Sequence, residues 1–110
     1  MPTLRSLSGG PDIPLHHPMV LVGRHQDCDA KIDAKVVSLR HCILSEDAGE
    51  IVVLDLASTN GTWINGRRVE RGRLKPGDEM AIAHIRYRVE DAPEYDASAL
   101  LFRNRPDPKP

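Results

Sequence analysis

The feature that most constrains the fold of this chain is the spacing of its apolar residues. They occur in short runs that mostly alternate with polar residues, and clusters of turn-forming residues separate the runs. Ile85–Val89 is a clear example, since apolar residues and arginines alternate along it. The chain has no internal repeat and no long stretch with the period of a helix. This pattern predicts an all-β sandwich or barrel of many short strands.

Turn residues predict where the strands pair. Asn65-Gly66 is a strong hairpin signal, because a type I′ turn requires positive φ at both central residues. A second hairpin is predicted around residues 46–49, and an opening strand or hairpin around residues 9–11. The continuous apolar run Met19–Val22 predicts a central strand with both of its faces covered.

Length and composition fit one compact domain followed by a tail. The chain has 110 residues, of which only 4% are aromatic, so its core must consist largely of Val, Ile, Leu and Ala. Residues 93–110 contain four of the nine prolines. We therefore expect residues 92–110 to form a Pro-rich, flexible C-terminal tail.

Charge and hydropathy argue against several classes of partner. The formal net charge of -1 provides no global basic field for nucleic acid or an anionic membrane surface. No apolar run approaches the roughly 20 residues of a spanning helix, and the N-terminus lacks the pattern of a signal peptide. A cytoplasmic protein with Cys28 and Cys42 reduced is the expectation.

Three polar clusters, each at the end of a predicted strand, carry the chemistry of the chain. They are Gly23-Arg24, Ser38-Leu39-Arg40-His41 and Ser58-Thr59-Asn60-Gly61-Thr62. Loops at alternate strand ends of a sandwich gather at one pole, where binding sites concentrate. Together the clusters offer guanidinium groups, hydroxyls, a carboxamide and free backbone N–H groups. Such donors suit a phosphate dianion, which arginine can bind with two parallel hydrogen bonds.

In order and spacing these motifs, followed by Asn65-Gly66, resemble the forkhead-associated (FHA) domain family. The family pattern is Gly-Arg, then Ser-x-x-His, then Ser/Thr-x-Asn-Gly-Thr, then Asn-Gly. The resemblance extends over residues 2–91, with the motifs within residues 21–71. It implies an eleven-stranded β-sandwich of two twisted sheets, SMAD/FHA-like, with its functional loops at one pole. It also implies a phosphothreonine-dependent peptide-binding module that acts as a signalling adaptor, and not an enzyme.

The resemblance assigns roles to individual residues. Phosphate contacts are implied for Arg24, Ser38, Arg40 and Thr59, and a contact with the peptide backbone for Asn60. Structural support of the site is implied for a further set: Gly23, His41, Gly61, Asn65 and Gly66. No cofactor or metal is expected. The implied partner is a phosphothreonine-containing protein, a substrate of a Ser/Thr kinase or the kinase itself, bound by a monomer.

One departure from the family pattern leaves a second function open. Leu39 stands where the family frequently has Arg or Asn, so a polar contact at the rim of the site is missing. The alternative is a phospho-independent interaction module with the same fold.

Two other roles, catalysis and zinc binding, are less well supported by these polar residues. Ser38 and His41 do not predict a catalytic pair, because side chains three residues apart at a strand entry usually point in different directions. Zinc binding by His25, Cys28, His41 and Cys42 is disfavoured by their irregular spacing.

The basic stretch Arg67–Lys75 is interpreted as the solvated edge of a hairpin.

Overall fold

The computed structural model describes residues 2–91, and all of their regular structure is β. The eleven strands, in chain order, are β1 Pro2–Ser6, β2 Ile13–Pro14, β3 Met19–Gly23, β4 Ala30–Lys31, β5 Cys42–Asp47, β6 Glu50–Asp55, β7 Thr62–Ile64, β8 Arg67–Val69, β9 Arg71–Leu74, β10 Glu79–Ile82 and β11 Ile85–Asp91. The predicted all-β sandwich is confirmed. The tail prediction for residues 92–110 lies outside the described residues.

The strands form two sheets that enclose the core. One sheet has six strands in the order β2-β1-β11-β10-β7-β8, and the other has five in the order β4-β3-β5-β6-β9. Every pair is antiparallel except β3 with β4. Aliphatic side chains from both sheets, together with Tyr87, fill the space between them. No helix among the described residues is long and apolar enough to span a membrane.

The hairpin predictions agree with the observed turns. Asn65 and Gly66 have φ of 48° and 85°, the positive values that a type I′ turn requires. The turn between β5 and β6 has the same character, with φ of 55° at Ala48 and 82° at Gly49. The opening hairpin is present too, with Leu4 of β1 opposite Ile13 of β2.

One prediction about the strands is wrong in part. β3 is fully covered on one face and only partly on the other, because Val20 and Val22 are buried, whereas Leu21 is half-buried and Met19 is 58% exposed. A continuous apolar run therefore did not indicate full burial on both sides.

The basic stretch lies at exposed sheet edges, as predicted, because β8 and β9 are the terminal strands of the two sheets and their arginines are exposed. β9, Arg71–Leu74, pairs with β6. Arg73 in that strand bonds the carboxylate of Glu50 at 2.8 Å.

The close packing of residues 38–41 against the end of β3 shapes one pole of the sandwich. The backbone N–H of Arg24 donates to the Ser38 carbonyl at 3.0 Å, and the N–H of His41 donates to the Val22 carbonyl at 2.8 Å. Between these bonds a Cβ on Gly23 would lie 2.2 Å from the carbonyl oxygen of Leu39. Only glycine allows the two backbones to approach this closely.

We expect Gly23→Ala to lower the free energy of unfolding by about 1–3 kcal/mol, since the added methyl group must displace backbone rather than a flexible side chain. Urea denaturation measures the change. Gly10→Ala is the matched control, because its Cβ would meet no atom within 4 Å. Equal stability of the two variants would contradict the proposed close approach.

Candidate functional site

The three polar clusters meet at one pole of the sandwich. β3 ends there and β5 begins there, with Val22 opposite Cys42. β6 also ends at this pole, because Cys42 lies opposite Asp55 in the same sheet. The loop that follows β6 crosses to the other sheet and enters β7 at Thr62. Residues far apart in the sequence are thereby placed in three neighbouring loops.

His41 connects two of these loops from beneath. Its side chain is fully buried, with 0% exposure. Nδ1 accepts the backbone N–H of Ser38 at 3.1 Å, and Nε2 lies 2.8 Å from the carbonyl oxygen of Gly61. Since an N–H only donates and a carbonyl only accepts, these bonds define the neutral tautomer with its hydrogen on Nε2. The structure therefore places His41 as a support for the loops.

Asp55 fixes the start of the third loop. Its carboxylate accepts the backbone N–H of Ser58 at 3.0 Å, the hydroxyl of Ser58, and the hydroxyl of Thr62 at 2.7 Å. The Ser58 hydroxyl in turn accepts the N–H of Gly61 at 3.1 Å. Partial burial raises the pKa of Asp55, but the hydrogen bonds from Ser58 and Thr62 outweigh it and hold this pKa below its usual value.

Arg68 holds the same loop from the adjacent hairpin. Its Nη2 donates to the carbonyls of Ser58 at 3.1 Å and Thr59 at 3.3 Å. Arg68 lies opposite Trp63, whose indole N–H donates to the carbonyl of Asn60 at 3.1 Å. Gly61 fits between the two side chains, because a Cβ there would lie 2.8 Å from Arg68 Nε and 2.9 Å from Trp63 Nε1. Arg68 is exposed on the edge strand β8, as predicted, and its bonds to this loop are an additional finding.

The side chains of Arg24 and Ser38 each form one hydrogen bond with the protein backbone. The Nε–H of half-buried Arg24 donates to the Val37 carbonyl at 2.9 Å, and within residues 2–91 its two Nη groups have no partner. The hydroxyl oxygen of Ser38 accepts the backbone N–H of Thr59 at 3.1 Å, which leaves the hydroxyl proton available to a ligand. Both side chains are oriented and still have donors to offer.

The remaining predicted contact residues are exposed at the rim. In the described part of the chain, the guanidinium of Arg40 and the hydroxyl of Thr59 bond to nothing. The side-chain amide of Asn60 donates to the Val36 carbonyl at 2.8 Å, so one N–H and the amide oxygen are left over. Leu39 is 46% exposed beside these polar groups.

A shallow hollow of about 420 Å³ lies between these groups. Three cationic side chains line it, those of Arg24, Lys35 and Arg40, and no carboxylate does. Ser38 and Thr59 also line the hollow. The geometry thus combines a positive local field with several hydrogen-bond donors, which is the chemistry that an exposed phosphate group requires.

Sequence reasoning missed three contributors to this pole. Lys35 lines the hollow, Asp55 anchors one loop and Arg68 clamps it. Aspartate side chains commonly accept backbone N–H groups in the turn that follows them, so the position of Asp55 at the end of a strand before a turn-rich segment could have identified it. The two-residue Asn-Gly turn fixes the register of the hairpin, so the pairing of Arg68 with Trp63 was also accessible.

The arrangement does not support acid–base chemistry at Ser38. Both ring nitrogens of His41 are already bonded to backbone groups, so neither is available to take the Ser38 hydroxyl proton. Cys28 and Cys42 are free and buried. Burial, with the charge of Asp55 as a smaller cause, raises the pKa of Cys42 to about 12 and keeps it a thiol. Within residues 2–91 no cluster of three or more potential ligands could hold a metal ion.

Comparison with known proteins places this pole in a family. The fold and the site define a β-sandwich binding module whose functional loops lie at one end. The FHA domain family model matches residues 20–83, and the chain belongs to this family. A solved FHA domain, from work on phosphothreonine-dependent FHA domain interactions, superposes with a TM-score of 0.76 at 31% identity, over 84% of this chain and 98% of that one.

Two relatives are similar to this chain over most of its length. The chain is 35% identical over 94 residues to the glycogen accumulation regulator GarA of Mycolicibacterium smegmatis, which covers 86% of this chain and 60% of GarA. It is 36% identical over 95 residues to the proliferation marker protein Ki-67 of Mus musculus, which covers 86% of this chain and 3% of Ki-67. The chain therefore spans less than two thirds of the length of either relative.

The lowered pKa of Asp55 predicts a contribution to stability that depends on pH. Because the folded-state value lies below the unfolded value of about 3.9, the contribution is complete above that value and is lost as pH falls through the folded-state pKa. Urea denaturation should show Asp55→Asn to be less stable than wild type at about pH 6, with the difference shrinking toward about pH 3. Asp33→Asn is the control, since that carboxylate has no partner within residues 2–91. A difference that is constant with pH would contradict this role.

We expect Arg68→Ala to loosen the loop that contains Thr59 and Asn60, because two backbone carbonyls lose their donor. Hydrogen exchange should become faster at the amides of Thr59 and Gly61, which are hydrogen-bonded within this region. The neighbouring Arg67 is exposed and has no side-chain bond within residues 2–91, so Arg67→Ala should leave those rates unchanged. Identical exchange rates in both variants would show that the hydrogen bonds of Arg68 do not hold this loop.

Proposed function

We propose that the chain acts by reversible, phosphothreonine-dependent recognition of a partner protein. The observation that carries this proposal is the arrangement of Arg24 and Ser38. Each forms one hydrogen bond with the backbone and keeps at least one further donor for a ligand. Groups held in this way lose less side-chain entropy when a phosphate arrives, so more of the interaction energy becomes affinity.

In this proposal the phosphate lies in the hollow between the loops. Arg24 binds two phosphate oxygens through its Nη groups, and Ser38 donates its hydroxyl proton to a third. Arg40 and Thr59 complete the contacts from the rim, where their polar groups are unengaged within residues 2–91. The three cations of the hollow attract a dianion, and the lack of a lining carboxylate avoids repulsion.

Asn60 is the proposed contact to the peptide backbone. Its amide bond to the Val36 carbonyl fixes the orientation of the side chain across the gap between two loops. The remaining N–H and the amide oxygen offer one donor and one acceptor, which match the alternating groups of an extended peptide. Asn60 would therefore position the residues that follow the phosphothreonine.

The expected affinity is near micromolar. About four charge-assisted hydrogen bonds contribute roughly 1.5–3 kcal/mol each, and the ordering of the peptide offsets part of this. A net value of about −8 kcal/mol corresponds to a Kd of about 1 μM. Because the site is exposed, added salt should weaken binding. Aspartate should replace phosphothreonine poorly, since it has less charge and fewer acceptor oxygens.

The proposed partner is a protein phosphorylated on threonine, either a substrate of a Ser/Thr kinase or the kinase itself. The similarity to GarA, a named regulator, supports an adaptor role in regulation rather than catalysis. A monomer is the proposed binding unit, and the cytoplasm its place of action. Both remain predictions.

One observation favours a second candidate. Leu39 is exposed at the rim of the hollow, where it offers apolar surface and no hydrogen bond. A partner that covers Leu39 could bind the same loops without a phosphate. The two functions differ in whether removal of the phosphate group abolishes binding.

Calorimetric titration of a phosphothreonine peptide selected from a library tests the proposal. Arg24→Ala should weaken binding at least about tenfold, since it removes a bidentate contact worth roughly 1.5–3 kcal/mol. Arg67→Ala deletes an exposed arginine on the hairpin outside the hollow and should leave the Kd unchanged. Unchanged affinity in Arg24→Ala would refute the assigned site. Equal binding of the unphosphorylated peptide would establish the phospho-independent alternative instead.

A further inference from the structure

A second concave surface lies on the side of the sandwich, between the short edge strands β2 and β4. This groove has a volume of about 770 Å³ and shares no lining residue with the phosphate hollow. β2 and β4 have only two residues each and belong to different sheets, so the interior of the sandwich comes near the surface between them. The volume is within the range of about 300–1,000 Å³ that is typical of binding pockets.

The floor of the groove is apolar. The buried residues Ile13, Val20 and Tyr87 contribute to its lining, and the partly buried Ile32 and Ile85 extend it. These side chains also belong to or pack against the main core. An apolar side chain that entered the groove would therefore contact a surface held rigid by the fold.

The rim of the groove is predominantly acidic. Asp12, Asp29 and Asp33 line it, and Lys31 is the single lysine or arginine among its lining residues. Asp12 and Asp29 are oriented by backbone N–H groups, those of Ser6 and Leu21, each at 2.8 Å. None of the three carboxylates forms an ion pair within residues 2–91. The other titratable side chains of the rim are histidines, His16, His17 and His84.

The two concave surfaces are opposite in charge. Three cations and no carboxylate line the hollow, whereas three carboxylates and one lysine line the groove. A phosphorylated or acidic segment suits the hollow and is repelled at the groove. The groove instead suits apolar side chains accompanied by arginine or lysine.

We propose that this groove, formed by β2, β4 and the turn before β11, is a second docking site, for a partner segment in which bulky apolar side chains are flanked by arginine or lysine. The apolar side chains enter between the edge strands, and the cations pair with Asp12, Asp29 and Asp33. The site is independent of phosphorylation. It allows the domain to bind a second segment while a phosphothreonine occupies the hollow.

Titration of the ¹⁵N-labelled full chain with the peptide Ser-Leu-Leu-Phe-Arg-Ser-Arg, monitored by NMR, tests this proposal. We expect saturable shifts at the amides of Ile32, Ala34 and Ile85, with little change at Arg24 and Ser38. A peptide with glutamate in place of both arginines should bind at least about tenfold more weakly, because two attractive charge contacts become repulsive. Replacing its leucines and phenylalanine by serine should abolish binding.

Variants of the chain distinguish binding at the groove from binding at the hollow. Asp33→Lys should weaken the probe about three- to tenfold, and Glu70→Lys, the same change of charge outside the groove, should not. Arg24→Ala should leave probe affinity unchanged. The folded state of each variant is verified from the same spectra.

Three outcomes would overturn the proposal. The first is the absence of shifts at about 1 mM probe, and the second is equal binding of the peptide with reversed charge. The third concerns residues 100–105, Leu-Leu-Phe-Arg-Asn-Arg, which match the last six residues of the probe except for Asn in place of Ser. If the probe binds only after Leu101 and Phe102 are replaced by serine, the occupant is the chain itself and not a partner.

Discussion

The pair of hydrogen bonds made by His41 is the interaction on which the pole of this domain depends. One bond holds the Ser38 backbone next to β5, and the other holds Gly61 just before β7 of the opposite sheet. A neutral imidazole is well suited to this position, because it offers one acceptor and one donor on opposite sides of a rigid ring. Removal of the ring would leave two backbone groups unpaired and a cavity beneath both loops.

A similar arrangement recurs in the residues proposed to bind the ligand. The side chains of Arg24, Ser38 and Asn60 each form one hydrogen bond with the backbone and keep further hydrogen-bonding capacity. Behind them, Asp55 and Arg68 hold the third loop through its own N–H and carbonyl groups. The proposed recognition surface is therefore held in place by the protein's own hydrogen bonds, although its residues come from loops and not from strands.

Local patterns in the sequence predicted local structure well. Asn65-Gly66 predicted the observed hairpin turn, and the alternation over Ile85–Val89 predicted which residues of β11 face the core. Predictions that depended on distant partners were less successful. The exposure of Met19 depends on which sheet face receives a covering layer, and a run of apolar residues does not contain that information. Arg68 looked like an ordinary surface arginine because its carbonyl partners lie nine and ten residues earlier in the chain.

The pairing of the first strand with the last has a consequence for how such a domain is used. Pro2 lies opposite Asp91, and both line a depression with Glu46 and Gly49, at the end of β5 away from His41. The two points at which the described chain enters and leaves are thus adjacent and face away from the recognition loops. A polypeptide can be continued from either point without obstructing those loops. The same fold can therefore be joined to other chain segments at either point. This suits a sequence whose relatives include both GarA, of which it covers 60%, and Ki-67, of which it covers only 3%.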